Sequence, residues 1–177
     1  MKRFPYSFTY PISLLCILLF SINLTVAQEN EKRSYLLATA STGGTYYPVG
    51  VAVSTLTKIK LEPKYGLSMS AITSAGSGDN IKLLRDNEAQ FAILHGLYGD
   101  WAWNGTGRLE KQGPQQHFRS ITMLWKNVEH FIVTKTSVPG NEISDIQALT
   151  GKKFSIGKKN SGTEGSGQYI LNALGIR

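Results

Sequence analysis

One pattern constrains the fold more than any other, because it occurs three times along the chain. A short apolar run leads into a loop of small residues, and a helical spacing of apolar residues follows. We name these loops loop 1 (residues 41–45, STGGT), loop 2 (residues 74–78, SAGSG) and loop 3 (residues 160–163, NSGT). Strands that alternate with helices are typical of an α/β domain with a mostly parallel sheet and helices on both faces. The sequence therefore predicts an α/β fold.

The predicted elements extend this pattern over most of the chain. We expect strands over residues 35–40, 67–73, 91–94, 120–125, 130–134 and 153–157. We expect one helix from Tyr46, a loop over residues 104–116, and further helices over residues 79–87, 144–149 and 164–174. Pro48 suits the first turn of a helix, where its missing N–H has no partner to lose. Ser144 and Gln147 form a capping-box pattern, and Gly175 is placed to end the last helix in the left-handed conformation.

The N-terminal residues 1–27 have the pattern of a secretory signal peptide. Lys2 and Arg3 are positively charged, residues 12–20 form an apolar run, and Ala27 is a small residue suited to cleavage. A retained membrane anchor matches less well, because it needs about 20 apolar residues and polar residues interrupt this run. We therefore expect cleavage near Ala27 and a periplasmic location.

Composition and motif spacing exclude several kinds of chemistry. The single cysteine, Cys16, lies in the apolar run, so the mature chain would have no disulfide and no cysteine-ligated metal. The formal charge of +7 comes from scattered basic residues, which favours a solvated surface over a nucleic-acid site. Gly151 and Gly157 are spaced wrongly for a P-loop, and Ile81 stands where a dinucleotide motif needs glycine. We predict no cofactor, no metal and no nucleic-acid partner.

The three loops are predicted to bind a ligand. Glycine allows the backbone to approach a ligand closely, and serine and threonine hydroxyls add donors and acceptors. The first N–H groups of a helix are unpaired and favour carboxylate or phosphate groups. In doubly wound sheets, ligands bind at this edge. The alternative interpretation is that glycine and serine only provide turn geometry, but three loops at equivalent positions favour ligand binding.

Catalysis has little support in the sequence. The three histidines stand in unrelated contexts, and no histidine–carboxylate cluster has the spacing of a metal site. His95 follows the third predicted strand, so it either contacts a ligand or is an ordinary histidine at a strand end. The alternative function from another class is a secreted hydrolase that uses Ser77 or Ser161 with His95.

Four segments resemble a known family. They read ATASTGGTYYPVG, SAGSGDNIKLLRDNEAQFAIL, GDWAWNGTG and ISDIQALTGKKFSIGKKNSGT, and together they span nearly the whole mature chain. On these motifs the sequence is similar to the TAXI family of extracytoplasmic solute receptors, which serve TRAP-type transporters. The resemblance implies a type II periplasmic binding protein fold and no enzymatic activity. It also implies a monomer that delivers a small anionic solute, an amino acid or dicarboxylate, to the membrane subunits of the transporter.

The resemblance further implies a division into lobes and a set of site residues. The first lobe is expected over residues 28–135, and the second begins at residues 136–177. Family members continue beyond loop 3, so the chain is expected to be a truncated receptor, or alternatively a nonfunctional receptor fragment. Relatives often carry glutamine at the position of His95. The implied ligand-binding residues are Thr42, Gly43, Gly44, Thr45, Tyr46, Ser77, Asn80, His95, Ser161, Gly162 and Thr163.

Overall fold

The computed structural model describes residues 31–176, so the predicted signal peptide lies outside the described residues. The elements in chain order are β1 (Arg33–Ala38), α1 (Tyr46–Tyr65), β2 (Leu67–Ile72), α2 (Ser77–Arg85), β3 (Phe91–Ala92), α3 (Gly96–Asn104), 3₁₀ helices at Gly107–Gln112 and Ile143–Leu149, and α4 (Gly162–Ala173). The residues after Glu31 form one compact unit. No helix in the described part of the chain is long and apolar enough to cross a membrane.

The sheet consists of three parallel strands in the order β2-β1-β3. β1 pairs with β2 along its whole length, whereas β3 pairs only with the last two residues of β1. Burial increases along β1 from exposed Arg33 to fully buried Ala38, so the carboxyl end of the central strand lies in the interior. The predicted α/β class with a parallel sheet is confirmed. Loops 1 and 2 follow β1 and β2 at this carboxyl edge.

Helix α1 approaches the sheet closely at Gly50. A Cβ atom at Gly50 would lie only 2.3 Å from Cγ2 of Thr39 and 3.6 Å from Cβ of Ala71. A side chain there would therefore push α1 away from the sheet. Pro48 lies in the first turn of α1 as predicted, and Gly66 ends the helix in the left-handed conformation at φ 65°.

Two apolar clusters form the interior of the described residues. Cluster A joins α2, α3 and the first 3₁₀ helix through Ile81, Tyr98, Trp101, Ala102 and Leu109. Cluster B joins the second 3₁₀ helix to the end of α4 through Ile146, Leu171 and Ile176. Partly buried residues, including Phe131 and Ile156, pack against cluster B. The two clusters lie in different parts of the sequence.

Three predicted strands are wrong. Residues 120–125, 130–134 and 153–157 are irregular, and their apolar side chains include the largely exposed Ile121 and Ile132. A strand needs a neighbour that pairs with its backbone N–H and C=O groups. Within residues 31–176, no strand pairs with these three segments. Apolar, β-favouring composition alone therefore does not produce a strand.

Two helix starts differ slightly from the prediction, and a third differs in its type and its cap. α2 and α4 each begin two residues before the predicted first residue, at Ser77 and Gly162. The predicted helix over residues 144–149 is a 3₁₀ helix, and its capping box uses Glu142 and Asp145 instead of Ser144 and Gln147. The capping side chain thus lies two residues earlier than the sequence pattern indicated. The predicted loop over residues 104–116 contains the first 3₁₀ helix.

The end of α4 confirms the predicted role of Gly175. This residue has φ 76°, and its N–H donates to the carbonyl of Asn172. The N–H of Ile176 donates to the carbonyl of Leu171, which completes a Schellman motif. Ile176 and Leu171 both belong to cluster B, so the cap also buries apolar surface.

Candidate ligand-binding site

Two of the three predicted loops border an open cleft of about 540 Å³. Loops 1 and 2 contribute Ser41, Thr42, Ser74 and Ala75, and the residue two positions before loop 3, Lys158, also lines it. Thr73 and Asp79 complete the lining. Segments that are far apart in the sequence therefore meet around one cavity. Of the predicted site residues, Thr42 lines the cleft directly.

Lys158 places a positive charge in the cleft, and the predicted site does not include it. The carboxylate of Asp79 also lines the cleft, where its Oδ2 accepts a hydrogen bond from the N–H of Ala75 at 3.1 Å. The cleft thus contains one group of each charge. The available sequence signal was the Lys158-Lys159 doublet directly before loop 3.

Loop 1 is the most accessible of the three loops. Thr42, Gly43 and Thr45 are exposed, while Gly44 is half-buried and donates its N–H to the carbonyl of Ser41 at 2.9 Å. A Cβ atom at Gly43 would meet no atom within 4 Å. Packing within the described residues therefore does not require glycine at position 43.

Asn80 joins the carboxyl ends of two strands from a fully buried position. Its Nδ2 donates to the carbonyls of Thr39 at 2.7 Å and Ile93 at 2.8 Å. Its Oδ1 accepts a hydrogen bond from Oγ of Ser74 at 2.6 Å. A buried amide with this many partners is engaged by the protein itself. The side chain of Asn80 thus holds β1, loop 2 and the segment after β3 in register.

Ser77 and His95 are linked beneath the loops. Ser77 is fully buried, and its Oγ accepts a hydrogen bond from the backbone N–H of His95 at 2.9 Å. Nδ1 of His95 accepts from the N–H of Leu97 at 3.3 Å and so caps α3. Nε2 of His95 lies 3.3 Å from Oε1 of Glu129. Since Nδ1 accepts, the proton of a neutral imidazole is on Nε2, which faces the Glu129 carboxylate.

Tyr46 completes this group at the first residue of α1. The ring of Trp125 packs against it edge to face, with ring centroids 5.8 Å apart. Burial raises the pKa of Tyr46, the Ser77 hydroxyl lowers it by hydrogen bonding, and the charge of Glu129 raises it. The net pKa is raised, so Tyr46 keeps its O–H at neutral pH. We refer to Tyr46, Ser77, His95 and Glu129 as the Tyr46 cluster.

Loop 3 packs so closely on loop 2 that several positions require glycine. A Cβ atom at Gly162 would lie 2.9 Å from Oγ of Ser77 and 3.1 Å from Cβ of His95. A Cβ atom at Gly78 would lie 2.9 Å from the carbonyl oxygen of Asn160, which already accepts the N–H of Gly78 at 2.9 Å. These glycines allow the two loops to pack against each other. The sequence pattern alone does not distinguish this role from contact with a ligand.

Ser161 and Glu164 fix the start of α4. Oγ of Ser161 accepts the N–H of Glu164 at 3.1 Å, and the Glu164 carboxylate accepts the N–H of Asn160 at 2.7 Å. The same carboxylate pairs with Nη1 of Arg108 at 2.8 Å. Burial lowers the pKa of Arg108, but the bond to Glu164 and nearby charges outweigh this and raise it. Thr163 remains exposed, and Ser161 is half-buried.

These hydrogen bonds leave both candidate serines of the hydrolase hypothesis without a base. Oγ of Ser77 faces the backbone of His95, while the two ring nitrogens of His95 face Leu97 and Glu129. Oγ of Ser161 caps α4. A serine nucleophile requires an imidazole within hydrogen-bond reach of its hydroxyl. The geometry gives the hydrolase hypothesis no support.

A comparison with known families gives a match over most of the chain. The sequence model described as the NMT1-like family matches residues 37–177. The matched range includes all three loops, the Tyr46 cluster and Lys158. Proteins of this family are periplasmic-binding-protein-like, bind substrates rather than transform them, and are usually extracytoplasmic.

Proposed function

We propose that this chain, which belongs to the NMT1-like family of solute-binding proteins, is an extracytoplasmic receptor for a small anionic solute. The family supports a small-molecule ligand and a transporter as partner in general terms. The TAXI-like motifs support the finer proposal that the partner is a TRAP-type transporter in the membrane. We further propose that the receptor is a periplasmic monomer.

The cleft is the observation that carries the proposal. Its volume of about 540 Å³ lies in the range of roughly 300–1,000 Å³ that small-molecule sites occupy. Lys158 supplies a positive charge, and Ser41 and Thr42 supply hydroxyl donors. A carboxylate would satisfy these groups. Asp79 could pair with an ammonium group, so an amino acid matches both charges of the cleft and a dicarboxylate matches one.

The predicted site residues divide into two groups in this proposal. Exposed and half-buried residues of loops 1 and 3, together with the first residue of α1, would contact the solute: Thr42, Gly43, Gly44, Thr45, Tyr46, Ser161 and Thr163. Ser77, Asn80 and Gly162 are buried. We propose that they support the loops that contact the solute. His95 would present its Nε2–H to the solute.

The two apolar clusters support the proposed division into lobes. Cluster A and its partly buried neighbours lie between Ile81 and Phe118, whereas the buried residues of cluster B begin at Ile146; Phe131, which packs on cluster B, lies before the proposed boundary, and the residues after Glu31 form one compact unit. We propose that residues 28–135 belong to the first lobe and that the second begins with residues 136–177. Separate interiors are what two α/β lobes require, since each lobe needs its own core.

A thermal-shift screen of amino acids and dicarboxylates tests the proposed function. A solute present at 100 times its Kd stabilises the folded state by about 2.7 kcal/mol, so a true ligand should raise the melting temperature clearly. Lys158→Ala should reduce the shift, because it removes the cation from the cleft. Lys159→Ala is the matched control, since it removes the same charge from a neighbouring residue that does not line the cleft. A screen in which no anion raises the melting temperature would count against the receptor.

A further inference from the structure

Residues 119–134 cross the Tyr46 cluster as an irregular segment, which we call the strap. Its contacts with the cluster are the Trp125 ring on Tyr46 and the Glu129 carboxylate on His95. Between residues 119 and 133, the described structure contains no backbone–backbone hydrogen bond. The position of the strap therefore depends on side-chain contacts, which also include Phe131 against cluster B and Arg119 over the ring of Trp103.

His95 presents a hydrogen-bond donor to the region where the strap lies. Its Nδ1 accepts the N–H of Leu97, so a neutral imidazole carries its proton on Nε2. Nε2 lies 3.3 Å from Oε1 of Glu129. A donor that already faces a carboxylate is a site for an acceptor group.

We propose that Glu129 is an internal carboxylate that occupies an anion subsite at Nε2 of His95, and that a carboxylate of the solute binds there by displacing it. The inference rests on the proposed function, because it requires that the chain binds a carboxylate-bearing solute. It adds a residue from the strap that the predicted site did not contain. It also gives the subsite a definite ligand chemistry.

The surroundings of Glu129 make its displacement feasible. Its side chain is 26% exposed, and its Oε1 is held by Nε2 of His95 at 3.3 Å and Nδ2 of Asn127 at 3.2 Å. Asn127 belongs to the strap and would move with it. Two carboxylates at one donor site repel each other, so a solute carboxylate and Glu129 exclude each other. A solute carboxylate can bind only to those molecules in which Glu129 has left the subsite. The apparent affinity for the solute is therefore reduced in proportion to the fraction of molecules with a free subsite.

Isothermal titration of glutarate and L-glutamate into the full chain tests the competition. Glu129→Gln removes the negative charge but keeps a similar size, and we expect both solutes to bind about tenfold more tightly than to the wild type. Glu110→Gln is the matched control, because Glu110 is exposed and lies outside the strap. Unchanged or weaker binding of both solutes to the Glu129→Gln variant would overturn the inference. Loss of L-glutamate binding alone would also overturn it, since Glu129 would then bind the ammonium group.

Limited proteolysis by trypsin, in the absence of any solute, tests whether Glu129 keeps the strap in place. Lys126 is exposed on the strap, between Trp125 and Glu129. If Glu129 anchors the strap, Glu129→Ala should increase the rate of cleavage after Lys126 severalfold, whereas Glu110→Ala should leave it unchanged. Equal rates in both variants would refute the inference even if a solute binds. Faster cleavage together with no binding by any variant would instead reject the proposed receptor function and, with it, displacement by a solute.

Discussion

Similar apolar runs form strands in the region before the strap but not in the region from the strap onward. Residues 32–118 contain all the paired strands and cluster A, while residues 119–176 contain irregular segments, a 3₁₀ helix, α4 and cluster B. Both regions have apolar runs that are typical of strands. In the first region each strand finds a parallel partner, since both β2 and β3 pair with β1, and in the second no paired strand occurs within the described residues. Strand formation here is therefore decided by the neighbour and not by the run itself.

The difference is equally clear in burial. Ile81 and Tyr98 of cluster A are 1% and 2% exposed, whereas Met123 and Ile132 are 82% and 94% exposed. Complete burial of a large apolar side chain stabilises a fold by roughly 1.5–3 kcal/mol. The first region therefore gains a contribution from such residues that the strap does not.

Substitution of one isoleucine in each region is the strongest test of this comparison. Ile81→Ala should lower the free energy of unfolding by about 2–5 kcal/mol, because it leaves a cavity in cluster A. Ile132→Ala is the matched change at an exposed position and should alter it by less than about 0.5 kcal/mol. Urea denaturation followed by circular dichroism measures both values. A similar loss in the two variants would mean that the strap is packed in solution and that the comparison is invalid.

Glycine substitutions test the contact between the two regions, with effects of opposite sign. A Cβ atom at Gly165 of α4 would lie 2.4 Å from the ring of Tyr98 on α3, so Gly165→Ala should destabilise the protein by about 1–3 kcal/mol. A Cβ atom at Gly99, also on α3, would meet nothing within 4 Å, and Gly99→Ala should stabilise by about 0.5–1 kcal/mol. Thermal or urea unfolding of the two variants distinguishes them. Stabilisation by Gly165→Ala would show that α4 does not pack on α3.

The sequence predicts the first region well because its signals are local. Loops 1 and 2 follow predicted strands and precede predicted helices, and Pro48 lies in the first turn of α1 as predicted. These features depend on neighbours within one strand–helix–strand unit. The unpaired segments could not be predicted in the same way, since a run such as residues 120–125 carries no information on whether a partner strand is present.

The candidate site was predictable only in part, for a related reason. The loops were identified from their composition, but the use of Gly162 and Gly78 for contact between loops is a property of the fold. Asn80 was identified as polar and near the site, while two of its hydrogen bonds to the protein depend on the distant carbonyls of Thr39 and Ile93 and a third comes from the hydroxyl of Ser74. Glu129 lies in no recognisable motif, and only the course of the strap brings it to His95.

Alkaline pH gives a smaller effect that reports on Tyr98 at the junction of the two regions. Burial raises the pKa of Tyr98, and nearby Arg108 lowers it less, so its pKa in the folded state exceeds that in the unfolded state. The corresponding stability is fully present below the unfolded pKa of about 10 and is lost as the pH rises through the folded pKa. Tyr98→Phe should make unfolding less sensitive to pH above about 10. Melting curves from pH 8 to 11 measure this, and equal pH dependence in both proteins would contradict the burial of Tyr98.

The ion pair between Arg108 and Glu164 should give the smallest effect, although it joins the two regions directly. Its nitrogen–oxygen distance is 2.8 Å, and the side chains are 34% and 18% exposed, so solvent screens part of the attraction. Arg108→Ala should destabilise by about 0.5–1 kcal/mol, and the loss should shrink in 1 M salt. A double-mutant cycle with Glu164→Gln isolates the interaction, because the Asn160 bond to Glu164 is common to both arms. A coupling energy near zero would mean that the regions are joined by the packing of Gly165 on Tyr98 and of Gly162 on Ser77, and not by charge.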